Sequence, residues 1–414
     1  MRDNNAAGFF RFFPSARLML LVVTGCAVTA AVAWLTVRHT VRSRSAVNVR
    51  RAVQLLKAGQ PDDARQQLAL LLWFEPDHSA ATRITATSYL HEENYAQAIA
   101  HFRRIRATDA AHAQAQLALV TCLLADYQME QAELVLWQHI RQYPDSIPAH
   151  MQLSGLLQAM LRGDASVRLW RQLLLQSRPG ELRLEQLLQI LRESARAQFD
   201  PPLPDENVAM LSESLARHPD QKSVLVAFGA CSWQSGDRDS AGRAFGEFLA
   251  AADPDPMLQL TTARYLLENR DTERAEAILT KIPAPDETSG TPSEGAALYW
   301  SVTGQVLEQS GDYHSALNAI RRAIRIQPGN KAFHARQSRL LQQLGHVSEA
   351  RTAYAEVHRL AQDELQLWKL TRSMEDTPTP DECRQAAQLY ASLGNSEYSA
   401  AWTVAATRIA EGAE

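Results

Sequence analysis

Arg336 and Arg339 are three residues apart and His334 precedes them by two, in a stretch that reads as a helix. Two guanidiniums at i and i+3 share one helical face. Each is a planar fork of N–H donors that fits a carboxylate through charge-assisted hydrogen bonds. The chemistry offered is recognition of an acidic segment or a C-terminal carboxylate; the alternative is a set of solvated charges. Nothing in the sequence marks out a catalytic site in the same way. The 12 His are scattered, no His-Glu-x2-His occurs, and no Cys/His spacing suits zinc. A phosphate-cradling Gly loop, a Gly-x-Ser-x-Gly elbow and kinase signatures are missing as well. The four cysteines, Cys26, Cys122, Cys231 and Cys383, stand singly and read as small buried hydrophobes. No catalytic, cofactor-binding or metal-binding residue is therefore assigned, and the chain is read as a non-enzyme. A non-catalytic subunit of an enzyme complex is an alternative.

The elements that carry these residues repeat. In Ala297–Asn330, Leu298, Val302, Val306 and Leu307 lie on one helical face. Gly311-Asp312 breaks the helix, because Gly tolerates the left-handed conformation that ends it. Tyr313, Ala316, Leu317, Ile320, Ala323 and Ile324 then form a second apolar stripe, and Pro328-Gly329 stops it. Small Gly304 and Ala316 are placed where the two helices touch. A Leu at position 316 would overpack that contact by roughly 1–3 kcal/mol. An Ala equivalent to Ala316 recurs at Ala64, Ala98, Ala132, Ala241, Ala275, Ala350 and Ala401, with Ser166 and Asn207 in two weaker copies. A large apolar residue follows four positions later as Leu68, Phe102, Leu136, Trp170, Leu211, Phe245, Leu279 and Tyr354. Pro76, Pro144 and Pro219 share the terminating position of Pro328.

This pattern resembles the tetratricopeptide repeat (TPR) family, Trp-x2-Leu-Gly-x2-Tyr, Ala-x3-Phe, then Pro over 34 residues. Trp300, Gly304, Ala316 and Pro328 match, while Thr303, Leu307 and Ile320 replace the family's Leu, Tyr and Phe. The resemblance covers residues from about Ser45 onward and implies an all-α TPR-type α-solenoid of about ten hairpins, several degenerate. It also implies that first helices line a concave groove for an extended peptide or a partner helix. The outward positions there are Arg83, Trp233, Arg264, Gln305, Arg336 and Arg339, with Thr87, Leu117, Met151, Val226 and Leu260 among their neighbours. The Lys, Asn and Arg set of the family's chaperone-tail carboxylate clamp is not found. The tryptophans, including Trp73, Trp137, Trp170 and Trp300, are read as core.

Ahead of the repeats, residues 1–17 form a tail, and Leu18–Val37 holds no charge between Arg17 and Arg38. Twenty apolar residues span a bilayer as a helix, so one N-terminal transmembrane helix is expected. A basic juxtamembrane segment follows at 38–44. Two other readings stay open: Val23-Thr24-Gly25-Cys26 resembles a lipoprotein cleavage box, and Ala31-Val32-Ala33 a signal-peptidase site. Residues 1–51 carry eight Arg against one Asp, and the remainder 34 basic against 45 acidic residues. The basic end suits anionic headgroups, and the acidic remainder argues against nucleic acid. Five Arg after the span against three before it lean the solenoid towards the cytoplasmic side of a bacterial inner membrane.

The solenoid is expected over 45–282, with an insertion at 199–205 containing Pro201, Pro202 and Pro204. A linker loop follows at 283–296, and a C-terminal part at 297–414 ends in a capping hairpin. Within the latter, Thr379-Pro-Asp-Glu382 reads as a capping box. The function expected is a membrane-tethered scaffold for protein partners. A lipid-anchored or secreted envelope-assembly factor is the alternative.

Overall fold

The computed structural model describes residues 16–199, 203–251, 254–286, 295–374 and 377–412, with side chains from residue 28. Among the described residues every regular element is a helix. They divide into two units between Asp126 and Tyr127.

In the first unit, α1 (Ala16–Ser43) breaks at Arg44 and continues as α2 (Ser45–Lys57). Then follow α3 (Pro61–Phe74), α4 (Ser79–His91), α5 (Tyr95–Phe102) and α6 (His112–Ala125). Val41 of α1 is buried with Ala52, Ala64, Leu68, Leu71, Ala81 and Ile84, so the end of α1 joins the core of the first hairpin. The basic segment at 38–44 is helical up to Ser43, as the end of α1. No helix is long and apolar enough to cross a membrane among the described residues. The side chains of Leu18–Val37 up to residue 27 lie outside them, as do the tail at 1–15 and Cys26.

The second unit holds α7 (Met129–Gln142), α8 (Ile147–Ala159), α9 (Gly163–Ser177), α10 (Leu184–Phe199) and α11 (Pro204–Arg217). It continues with α12 (Lys222–Gln234), α13 (Arg238–Ala250), α14 (Pro256–Glu268), α15 (Thr272–Leu279) and α16 (Ala296–Gln309). The last five are α17 (Tyr313–Ile326), α18 (Lys331–Gln343), α19 (Val347–Ser373), α20 (Pro380–Ser392) and α21 (Ser396–Ala410). Both α14 and α15 pack on α16, so the stack is continuous on either side of 283–296. Residues 287–294 of that loop and 200–202 of the Pro-rich insertion lie outside the described residues.

Two columns of small residues set the helix spacing. Ala64, Ala98, Ala132, Ser166, Ala241, Ala275, Ala316, Ala350 and Ala401 are all buried, and so is Asn207. Twelve positions earlier in a packed hairpin lies a facing column of small residues, Ala52, Ala86, Ser154, Gly229, Ala263, Gly304 and Ser338, all buried, and Leu389 takes that place in the closing hairpin. A Cβ on Gly304 would stand 2.7 Å from Ile320 Cδ1 and 3.3 Å from the Ala316 carbonyl oxygen; one on Gly229 would stand 2.9 Å from the Phe245 ring. Where both positions are Ser, the Ser154 and Ser166 hydroxyls bond at 2.7 Å and Trp170 Nε1 donates to Ser154 at 3.0 Å. The large-residue column is buried at Leu68, Phe102, Leu136, Trp170, Leu211 and Phe245, but Tyr354 is exposed and rests edge-on against His358.

The breaks share one grammar. Gly59, Gly236, Gly311, Gly345 and Gly394 are left-handed, and Glu93, Tyr127, Leu161 and Arg270 take the same position with φ of 53–61°. At four breaks the next residue caps the following helix: Asn94, Asp237, Asp271 and Asp312 accept from the backbone N–H of Gln97, Ser240, Arg274 and Ser315. Bonds from Ser240 and Ser315 hold the Asp237 and Asp312 carboxyls below the usual range. The expected capping box at Thr379 and Glu382 is present.

The interrupted fifth hairpin departs from the regular stack. Helix α10 packs on α8, α9, α19 and α21, whereas α11 packs on α12. Ser214 donates to the Tyr127 carbonyl at 2.8 Å, and Gln221 bridges that carbonyl and the Glu130 N–H. The closing hairpin exposes Thr403 and Thr407 on one side, and its inner face returns to the fourth hairpin. Tyr398 donates to the Val167 carbonyl at 2.9 Å, and Arg408 to that of Leu182. Trp170, Leu187, Leu367, Tyr390 and Trp402 share one core there.

A Cβ added at Gly311 would meet nothing within 4 Å, and its φ is +87°, so only backbone conformation resists a side chain. Gly311→Ala is expected to destabilise the protein by about 1–2 kcal/mol in urea unfolding. A neutral result would contradict the left-handed assignment.

Candidate partner-binding surface

Helices α12, α14, α16 and α18 are the first helices of four consecutive hairpins, and they carry five of the six expected residues. Trp233 closes α12. Its Nε1 donates to Glu268 Oε2 of α14 at 2.6 Å, and the Arg238 guanidinium lies 3.4 Å from the centre of its ring. Such a cation over an indole face is attracted by the ring quadrupole. Arg264 and Tyr265 sit one turn before Glu268. The Tyr265 hydroxyl accepts from Gln234 at 3.1 Å and from Arg264 at 3.3 Å, while its ring stacks on Phe245. Trp233, Gln234, Arg238, Arg264, Tyr265 and Glu268 line an open cavity of about 400 Å³.

One hairpin further, Glu308 at the end of α16 accepts from Arg336 at 2.9 Å and from Arg339 at 3.5 Å. The carboxylate expected from a partner is thus supplied within the fold. Burial pulls the Arg336 guanidinium below its ordinary value, against the opposing pull of Glu308. Arg339 remains 58% exposed, against 24% for Arg336. His334 turns back to the Pro328 carbonyl oxygen.

Several expected surface residues are placed differently. Gln305 is only 9% exposed and its Nε2 reaches Ser301, because its position on α16 faces the neighbouring helices. Val226 and Leu260 are core. Arg83 lies on α4 in the first unit, half-buried. Among the tryptophans read as core, Trp170 and Trp300 are buried, Trp137 is half-buried with its Nε1 on Glu133, and Trp73 is 68% exposed. Cys122, Cys231 and Cys383 are buried, and burial pushes their thiols up to about 11, 12 and 11. They pack as apolar side chains.

The repeat pattern does not mark out Glu268, Tyr265, Arg238 and Glu308. A signal for such partners exists in the spacing. Ion pairs between neighbouring hairpins join Arg65 to Glu92, Arg162 to Glu133, Arg321 to Glu349 and Arg336 to Glu308, separations of 27–29 residues. Opposite charges near that spacing in a 34-residue array are therefore candidates for contact. Chemically, the surface offers four guanidiniums, two carboxylates and two aromatic rings, the composition of a protein-recognition patch. A double-mutant cycle with Glu308→Ala and Arg336→Ala is expected to give a coupling of about 1–3 kcal/mol, because neither group is well solvated. The cycle with the exposed Arg339 should give under about 1 kcal/mol. Equal couplings in thermal or urea unfolding would contradict this burial contrast.

Sequence models of the tetratricopeptide repeat match residues 89–165 and 307–374, and a second such model matches residues 49–113. No curated protein matches the chain. Among solved structures, PilW, titled a widely conserved type IV pilus biogenesis factor, is 14% identical, with a TM-score of 0.34 over 52% of this chain and 90% of its own. PilF of Pseudomonas aeruginosa is 11% identical, with a TM-score of 0.33 over 56% and 95%. MamA of Desulfovibrio magneticus RS-1 is 15% identical, with a TM-score of 0.32 over 42% and 96%. Structural scores of this size carry no inference about role, and the assignment rests on the repeat models and on the period of the hairpins. Over residues 49–165 and 307–374 the chain carries tetratricopeptide repeats.

Proposed function

We propose that this protein is a membrane-tethered scaffold that holds a partner protein along the first helices α12 to α18. The cavity lined by Trp233, Arg238, Arg264, Tyr265 and Glu268 is the observation that carries the reading. Indole and phenol rings supply contact area at low entropic cost, and guanidiniums supply directed donors, a combination typical of binding hot spots. Arg339, on α18, extends the surface by two hairpins. An extended acidic peptide or the polar edge of a helix suits it, since four cations there outnumber the two carboxylates. Arg83 offers a separate contact in the first unit. Gln305, being buried, supports the surface from below.

The tether proposed is Leu18–Val37, bounded by Arg17 and Arg38, in a bacterial inner membrane with the repeats on the cytoplasmic side. Tethering raises the effective concentration of captured partners at the membrane. The expected test is affinity capture from crosslinked native membranes, comparing wild type with an Arg264→Glu, Arg339→Glu variant. Captured partner should fall about tenfold, equivalent to roughly 1.4 kcal/mol, with helical circular dichroism unchanged. Undiminished capture would remove these residues from the proposed surface.

A further inference from the structure

We infer that the end of α3 is a second membrane-contact surface, seated in the headgroup boundary of an anionic bilayer beside α1. This rests on the tether proposed above and adds a contact outside it. The solvent face of α3 changes character along its length. It starts with Asp62, Asp63 and Gln66 and ends with Ala69, Leu70 and Trp73, all exposed. Leu70 is 53% and Trp73 68% exposed, and at i and i+3 they share one face of α3.

The apolar end of that face lies at one level of α1. Trp73 stands edge-on to Phe74 at 4.5 Å, and Phe74 meets Trp34 at 6.1 Å. Trp34 is in the last turn of the uncharged run, with the Arg38 guanidinium 5.3 Å from its ring centre. Arg42, one further turn on, reaches Glu75 at 3.4 Å. If Leu18–Val37 lies in lipid, these contacts put Trp73 and Leu70 where hydrocarbon gives way to headgroups, the depth that indole rings favour. Leu35 and Val37, within a turn of Trp34 on α1, are exposed as well. Arg38 and Arg42 lie beside the patch, and Arg44, at the break after α1, and Arg50 and Arg51, on α2, are further exposed cations of the same unit; all complement anionic headgroups. Lipid accounts for both the apolar stripe and the cationic rim. A protein occupant would have to bring its own acidic rim to match those cations, whereas an anionic bilayer supplies the apolar layer and the charged layer together.

The test uses the full chain in vesicles of phosphatidylcholine and phosphatidylglycerol. Leu70→Cys and Asp63→Cys variants carry an environment-sensitive fluorophore, and the unsubstituted protein labelled in parallel sets the background from native thiols. Brominated acyl chains should quench the label at position 70 by about twofold or more, and leave that at position 63 unchanged. Protein that floats with the vesicles while its position-70 label stays unquenched overturns this inference and leaves the tether standing. Protein that does not float overturns both. Shielding of position 70 in lipid-free detergent that rises with protein concentration would assign the patch to a second copy of the chain, and equally overturns it.

Discussion

The close approach of two helices at a pair of small side chains is the constraint on which the rest depends. Gly304 against Ala316 leaves no room even for a methyl group beside Ile320. The same pair of positions is buried in the hairpins α2–α3, α4–α5, α8–α9, α12–α13, α14–α15 and α18–α19. Without that spacing the large residue four positions on, such as Phe245 or Ile320, could not reach the first helix. Each hairpin would then present two half-covered apolar faces. With it, a hairpin covers one face internally and hands the other to its neighbour, so stability accrues by nearest-neighbour burial along the stack.

Much of this is legible in the sequence because packing in a repeat is periodic. The Ala column, the breaks and the Thr379 capping box can be found from spacing, since each is fixed by local chemistry. The fate of the fifth hairpin is not. Prolines at 201, 202 and 204 announce an interruption but say nothing of where α10 goes, which is decided by Tyr398, Trp402 and Arg408, roughly two hundred residues later in the chain. Exposure is also hard to read. Trp73 and Trp170 are both tryptophans on second helices, yet one is open to solvent and the other has no exposed surface. The difference lies in packing, with Ser154, His150 and the shared core of four other helices around Trp170, while Trp73 rests edge-on against Phe74.

The candidate surface is half legible. Trp233, Arg264, Arg336 and Arg339 can be picked out as outward positions of first helices, but their acidic partners Glu268 and Glu308 cannot. Those acids change the meaning of the arginines. Arg336 is taken up by Glu308 and holds α16 to α18, leaving Arg339 and the cavity around Trp233 to face outward. Packing residues thus build the frame and ion pairs fix adjacent hairpins to one another, and the function we propose assigns recognition to the few groups left over. That division explains why the repeat pattern identifies a scaffold and leaves its partner to the variable positions.

The most direct test is site-specific photocrosslinking in native membranes, from position 339 on the α18 face and from position 247 on the second helix α13. The account predicts a discrete crosslinked partner from position 339 and none from position 247. A partner captured equally from both positions, or only from position 247, would contradict it.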